Sequence, residues 1–113
     1  MKEIKAYIKR HKLDDVTLAL RNVKKLTGMS VVDVRGFGRS RKKESSTGDS
    51  DEFIDYVPHV KIEIVCHDEL ADEIVSMIEK KAHTGLHGDG KVYVTNVETS
   101  IRIETGERGE GAV

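Results

Sequence analysis

One pattern constrains this chain more than any other: a strand, a helix and a second strand occur in succession twice, with matching landmarks 57 residues apart. Lys2–Lys9 alternates, with Ile4, Ala6 and Ile8 on one side and Lys5, Tyr7 and Lys9 on the other, the period of a half-buried strand. The period then becomes helical: Val16, Ala19, Leu20 and Val23 share one stripe, and Asp14 is placed to cap it. Lys24 and Lys25 follow, where positive charge suits the end of a helix dipole, and Thr27-Gly28 is expected to stop the helix. Residues 30–35 alternate again around valines. The second copy starts with Val60, Ile62, Ile64 and Cys66 on one face of a strand. Asp68 is the expected cap of its helix, whose apolar stripe is Leu70, Ile74, Met77 and Ile78. Thr84-Gly85 ends that helix, and residues 91–97 form the partner strand with Val92 and Val94 facing inward.

Two such units predict an α+β fold, a ferredoxin-like double βαβ sandwich with both helices on one face of the sheet. A short further strand over 100–105, carrying Ile101 and Ile103, and a flexible tail over 106–113 complete the expectation. The uncovered sheet face must be polar, bind a ligand or pack on another copy, which points to an oligomer. A length of 113 residues suits one domain, 1–113.

Charge excludes some functions. Lys plus Arg number 19 and Asp plus Glu 20, for a net charge of -1, so bulk charge does not hold this chain on nucleic acid. Two Phe, three Tyr and no Trp leave few aromatics for stacking RNA bases on the open face. The single Cys66 rules out an internal disulfide and fits a reducing compartment. Charges throughout residues 1–15 argue against a signal peptide, and no stretch approaches the ~20 apolar residues of a membrane span. The expectation is a cytoplasmic protein without direct membrane insertion.

Between the halves, residues 39–57 show neither period. The segment opens with Arg39, Arg41, Lys42 and Lys43 and continues with Glu44, Asp49, Asp51, Glu52 and Asp55. Insertions this long are either solvated loops or arms that order on a partner. Two glycine turns carry the chemical signal: Gly36-Phe37-Gly38-Arg39 closes one strand and Gly88-Asp89-Gly90-Lys91 opens another. Glycine lets backbone N–H groups converge on an anion, and the neighbouring Arg or Lys neutralises it. Each turn alone also reads as a plain tight turn, and neither is a Walker A loop. Both lie at strand ends, so the two are expected to meet in the sheet. Arg102 adds a third cation, and Glu104 stands where it would either weaken an anion site or pair with Arg102.

Taken together, the chain closely resembles the PII signal-transduction family. The carriers are Lys12-Leu13-Asp14-Asp15-Val16, Gly28-Met29-Ser30-Val31, Val34-Arg35-Gly36-Phe37-Gly38-Arg39, and Pro58 with Val60-Lys61-Ile62-Glu63. Thr84-Gly85 with Gly88-Asp89-Gly90-Lys91-Val92, Ile101-Arg102-Ile103 and Thr105-Gly106-Glu107 complete them. The resemblance spans the whole chain, with one extra residue in the first helix-to-strand connection. It implies a homotrimer binding ATP or ADP in clefts between subunits, and a T-loop, here 39–57, that docks on a protein target such as a membrane transporter. Such a chain is a regulator, not an enzyme. By matching position, Gly36, Phe37, Gly38 and Arg39, with Gly88, Asp89, Gly90 and Lys91, would line the phosphate side. Gly28, Met29, Ser30, Glu63, Val65 and Arg102 would complete the adenine, ribose and phosphate contacts, some from the neighbouring subunit, and Tyr7 would lie near the adenine.

Departures from the family change the expected ligands. Ser40 stands where the family has a glutamine that ligates magnesium and 2-oxoglutarate, and His59 replaces a lysine that pairs with a 2-oxoglutarate carboxylate. Glu104 replaces a phosphate-contacting arginine, a change of two charges that disfavours a triphosphate in a partly desolvated cleft. Nucleotide binding is therefore expected with ADP or AMP gaining on ATP and the 2-oxoglutarate response weak or lost. Magnesium held by Glu104 would restore ATP. Glu52 occupies the position of a tyrosine that is uridylylated in some relatives, which argues against that modification, and Tyr56 reads as a loop-base packing residue. Ser50 aligns with a serine phosphorylated in some relatives but lacks their flanking residues.

Two rival readings stay open. A ferredoxin-fold hydrolase would need a nucleophile with a base, and Cys66 falls instead on the core face. A metal-linked binding module is invited by His11, His59, His67, His83 and His87, although Gly85 separates the i, i+4 pair at a helix end. No metal ligand is assigned.

Overall fold

Lys2–Lys9, the strand β1, lies between two partners, and this placement organises the molecule. In the computed structural model, which describes residues 1–38 and 56–113, the other elements are α1 (Leu13–Leu20), β2 (Ser30–Gly36), β3 (Val57–Cys66), α2 (Asp68–Ala82) and β4 (Lys91–Asn96). Single 3-10 turns occur at Arg10–Lys12 and Glu110–Ala112. The strands form one sheet in the order β2-β3-β1-β4, antiparallel at each pairing. β1 and β2 are thus parallel with β3 between them, the topology of a split βαβ repeat, and the expected α+β ferredoxin-like architecture is present.

Alternation decides which face is buried. Ile4 pairs with Ile64, Ala6 with Ile62 and Ile8 with Val60, and all six side chains are at most 2% exposed. Helices α1 and α2 cover this face with Val16, Leu20, Leu70, Ile74 and Ile78. The opposite face carries Glu3, Lys5, Tyr7, Lys61 and Glu63, with Lys61 Nζ 3.5 Å from Glu63 and the Tyr7 and Tyr93 rings edge to face. Val94 shares the row of Ile4 and Ile64, but it lies on an edge strand and is half-exposed rather than inward. Cys66 is free and buried, and burial pushes its thiol pKa up, as expected for an inert core thiol.

Several boundaries differ from the sequence reading. α1 ends at Leu20, well before Thr27-Gly28, because the next bonds, Asn22 N–H to Ala19 O and Val23 N–H to Leu20 O, close i→i+3 turns. Val23 still reaches the core, so its helical spacing reflected burial and not helix. Lys25 takes the left-handed conformation (φ 70°) where glycine was expected to. Lys12 and His67 occupy the N-cap positions, neither with a side-chain capping bond, so Asp14 and Asp68 lie inside their helices. Asp68 instead accepts from the Met1 ammonium at 2.8 Å. β3 begins at Val57 and β4 ends at Asn96, shifts of a few residues. The strand expected over 100–105 is a turn, because Gly106 and Gly109, both at positive φ, bring the chain back to bridge Ile101 with Arg108. Of the T-loop expected over 39–57, residues 39–55, with Arg39, Ser40, Ser50 and Glu52, lie outside the described residues.

Ile74 is fully buried on α2. Ile74→Ala should therefore lower unfolding stability by about 2–5 kcal/mol, read as a lower denaturant midpoint at unchanged slope.

Candidate functional site

Nine of the assigned residues line two separate concavities, whereas Gly36, Phe37, Gly38, Gly88, Arg102 and Glu104 line neither and Arg39 is outside the described residues. The first, a cleft of about 700 Å³, is lined by Gly28, Met29, Ser30, Glu63 and Val65, with Glu3 beside them. The cross-strand pairing of Ser30 with Glu63 brings the start of β2 against β3, and the side chain of Glu63 points to the uncovered face. Ser100, Ile101, Ala112 and Val113 close the cleft from the C-terminal segment. The second, a groove of about 400 Å³, gathers Tyr7, Asp89, Gly90 and Lys91 where β1 ends and β4 begins, against Ile78, Ala82 and His83 of α2 and its C-cap. Glu3 and Tyr7 are four residues apart on β1, so the two concavities are offset by roughly 13 Å along the strand.

The two glycine turns do not meet within one chain. Gly36 pairs with Val57 on the β2 edge, whereas Lys91 pairs with Tyr7 on the β4 edge. Two strands intervene, and Lys91 is level with Val32, four residues from Gly36 along β2, so the two are roughly 19 Å apart. Gly36 ends β2 and Phe37 and Gly38 follow it, and the Phe37 and Tyr56 rings pack edge to face at 5.7 Å, so Tyr56 is a loop-base residue as expected. His59 contacts the carbonyl of Val57 through Nδ1 at 3.1 Å.

The loop before β4 is held by Asp89. Its carboxylate accepts from Thr84 N–H at 2.8 Å, Gly85 N–H at 3.2 Å and the Thr84 hydroxyl, and lies 3.1 Å from Lys9 Nζ. These hydrogen bonds, the Thr84 hydroxyl foremost, hold its pKa well below the usual carboxylate range. Asp89 thus lines the groove while its acceptors serve the loop, and Lys9 balances its charge. Lys91 has no acidic partner among the described residues, which leaves its ammonium available to an anion. Gly88 and Gly90 adopt positive φ, and a Cβ on Gly90 would fall 1.7 Å from the Tyr7 carbonyl oxygen. Glycine is obligatory there because β1 and the loop touch backbone to backbone.

Arg102 does not pair with Glu104. Its Nη1 donates to Glu107 at 3.1 Å and its Nη2 to the Gly111 carbonyl at 3.2 Å. The turn over 103–105 carries Glu104 exposed and away from that pair. Sequence reasoning missed Lys9 and Thr84, although the Thr84-to-Asp89 spacing beside two glycines is the trace of a side-chain-bonded turn. It also missed Glu3, Ser100, Ala112 and Val113, which only the tertiary structure brings to the cleft.

Such a domain, a four-stranded antiparallel sheet backed by two helices with a concavity near each end of β1, is of the α+β ferredoxin-like class. The family described as nitrogen regulatory protein P-II matches residues 1–107. Proteins named nitrogen regulatory protein P-II from Haemophilus influenzae and Pasteurella multocida are 43% and 46% identical over 113 residues, covering 100% of both chains. Nitrogen regulatory protein P-II 1 of Escherichia coli K12 is 45% identical over the same full length. The chain belongs to the P-II family of nitrogen regulatory proteins, which are signal transducers and not enzymes.

Two outcomes follow from the loop. Gly90→Ala should destabilise the fold by at least about 2 kcal/mol, seen in thermal melts, since the loop must leave β1 to admit a Cβ. Because the folded Asp89 pKa is depressed, its stabilisation is present above the ordinary value of 3.8 and is lost as pH falls below it. Asp89→Asn should therefore melt lower than the parent at pH 7, with the gap closing as the pH is taken down through 4 towards 2.

Proposed function

We propose that this chain is a trimeric, cytoplasmic, adenine-nucleotide-sensing regulator whose segment 39–57 controls a protein partner. The carrying observation is that Gly28, Met29, Ser30, Glu63 and Val65 line one concavity and Tyr7, Asp89, Gly90 and Lys91 another, offset along β1 within one chain. A second copy placing its groove against the first cleft would complete a site with Ser30, Glu63 and Val65 on one wall and Tyr7, Gly90 and Lys91 on the other. The unpaired Lys91 ammonium and the left-handed Gly88 and Gly90 suit a phosphate, and the tyrosine and valine suit a planar base. A head-to-tail contact of this kind closes into a ring, and the half-exposed Val32 and Tyr93 on the uncovered face give that ring an apolar interior.

The ligand preference follows from charge. Arg102 is neutralised by Glu107, and Glu104 adds a further negative charge on the same turn, so fewer phosphates are favoured over more. A magnesium ion at Glu104 would shift that preference back to ATP. His59 is engaged with its own strand, which supports a weak or absent response to 2-oxoglutarate. Among the described residues no three His, Cys, Asp or Glu side chains converge as a metal site, and no helix is long and apolar enough to cross a membrane. The partner reached by 39–57 is a protein, such as a membrane transporter.

Calorimetric titration with ATP, ADP and AMP, each with and without magnesium and 2-oxoglutarate, tests the reading alongside the mass in solution. The expected result is a trimer that binds ADP or AMP at least as well as ATP and is indifferent to 2-oxoglutarate. Lys91→Ala should weaken binding at least tenfold, the loss of one charge-assisted contact of about 1.5–3 kcal/mol. A monomer with no nucleotide binding would overturn the proposal.

A further inference from the structure

The C-terminal segment is built into the first cleft. Ala112 and Val113 share that cleft with Gly28, Ser30 and Glu63, and the Ser100 hydroxyl donates to the Ala112 carbonyl at 3.3 Å. The same segment occupies Arg102, whose two terminal nitrogens are bound to Glu107 and to the Gly111 carbonyl. One residue ties it to the body of the domain. Glu110 takes His67 Nδ1 at 2.7 Å and lies 3.5 Å from the Met1 ammonium, which also bonds Asp68 at 2.8 Å.

We propose that residues 107–113 are an autoinhibitory strap: clamped by Glu110, they wall one side of the first cleft with Ala112 and Val113 and withhold Arg102 until a phosphate-bearing ligand displaces them. The inference rests on the reading of that cleft as half of a nucleotide site. Both groups a ligand would need, the cleft wall and the guanidinium, are satisfied by the same segment. Displacement therefore exchanges the Glu107 carboxylate for a ligand phosphate at Arg102, with no loss of charge pairing. Gly106 precedes the stretch that would move and Gly109 lies within it, both at positive φ. A ligand that must first release the strap binds more weakly by the fraction of molecules in which the cleft is open.

The test uses the full chain and two single-charge variants, Glu110→Gln and Glu98→Gln. Glu98 is exposed between cleft residues Val97 and Thr99 and holds no part of the strap, so its variant reports the charge change alone. In calorimetry with ADP, Glu110→Gln should bind about fivefold more tightly than the parent. Unchanged affinity, or an equal gain in Glu98→Gln, would overturn the proposal. Amide exchange reads the strap without any ligand, at the Arg102, Gly106 and Gly109 N–H groups bonded to Glu107, Arg102 and Ser100 carbonyls. These amides should exchange at least tenfold faster in Glu110→Gln than in the parent, and equal exchange would overturn the strap. Should no variant bind ADP while exchange accelerates, the nucleotide reading fails and with it the inhibitory role of a clamp that still exists.

Discussion

The whole structure hangs on the register of β1. As an inner strand it is paired along both edges, and a slip of one residue would turn Lys5, Tyr7 and Lys9 towards the helices and Ile4, Ala6 and Ile8 towards water. Neither helix could then find an apolar surface, since Ile74 and Ile78 close directly over that row. The same strand also sets the spacing of the two concavities. Glu3 belongs to the first cleft and Tyr7 to the second groove, both on the outward side, so the distance between them is a strand rise and nothing adjustable.

Much of this was legible because burial leaves a period in the sequence. The strands and α2 were recoverable from alternation and from the Leu70, Ile74, Ile78 stripe. The period reports which side chains are buried, however, and not which amides bond to which carbonyls. Val23 keeps the helical spacing of α1 and reaches the core from a turn, so the helix was read too long. Ile101 and Ile103 alternate like a strand, but Ile103 is 97% exposed at the tip of a turn and only Ile101 finds a bridge partner. The candidate site residues came from family resemblance, and the structure shows how their surroundings are arranged. Asp89 is a fastening of its own loop, the two glycine turns occupy opposite sheet edges, and Arg102 faces Glu107 and not Glu104.

Charge is arranged locally in a chain whose total is near neutral. Lys9 answers Asp89, Lys61 answers Glu63, Arg102 answers Glu107, and the Met1 ammonium answers Asp68 and Glu110. Several of these pairs join segments distant in sequence, so they locate loops and termini more than they add stability at a solvated surface. Lys91, like Lys5, Lys24 and Lys25, has no ion-pair partner among the described residues, and it stands at the groove beside a loop that cannot carry a side chain at Gly90.

The pairing of Gly36 with Val57 has a consequence of another kind. The connection from 37 to 56 leaves and re-enters the sheet at two residues already held as neighbours by their own ladder. Closing such a connection costs little more as it lengthens, about 0.6 kcal/mol per doubling. The domain therefore separates two kinds of inheritance: the sheet and its loops must be kept together, whereas the excursion between β2 and β3 is open to exchange. Sequence change and length change there leave the ladder between β2 and β3, and with it the core, intact.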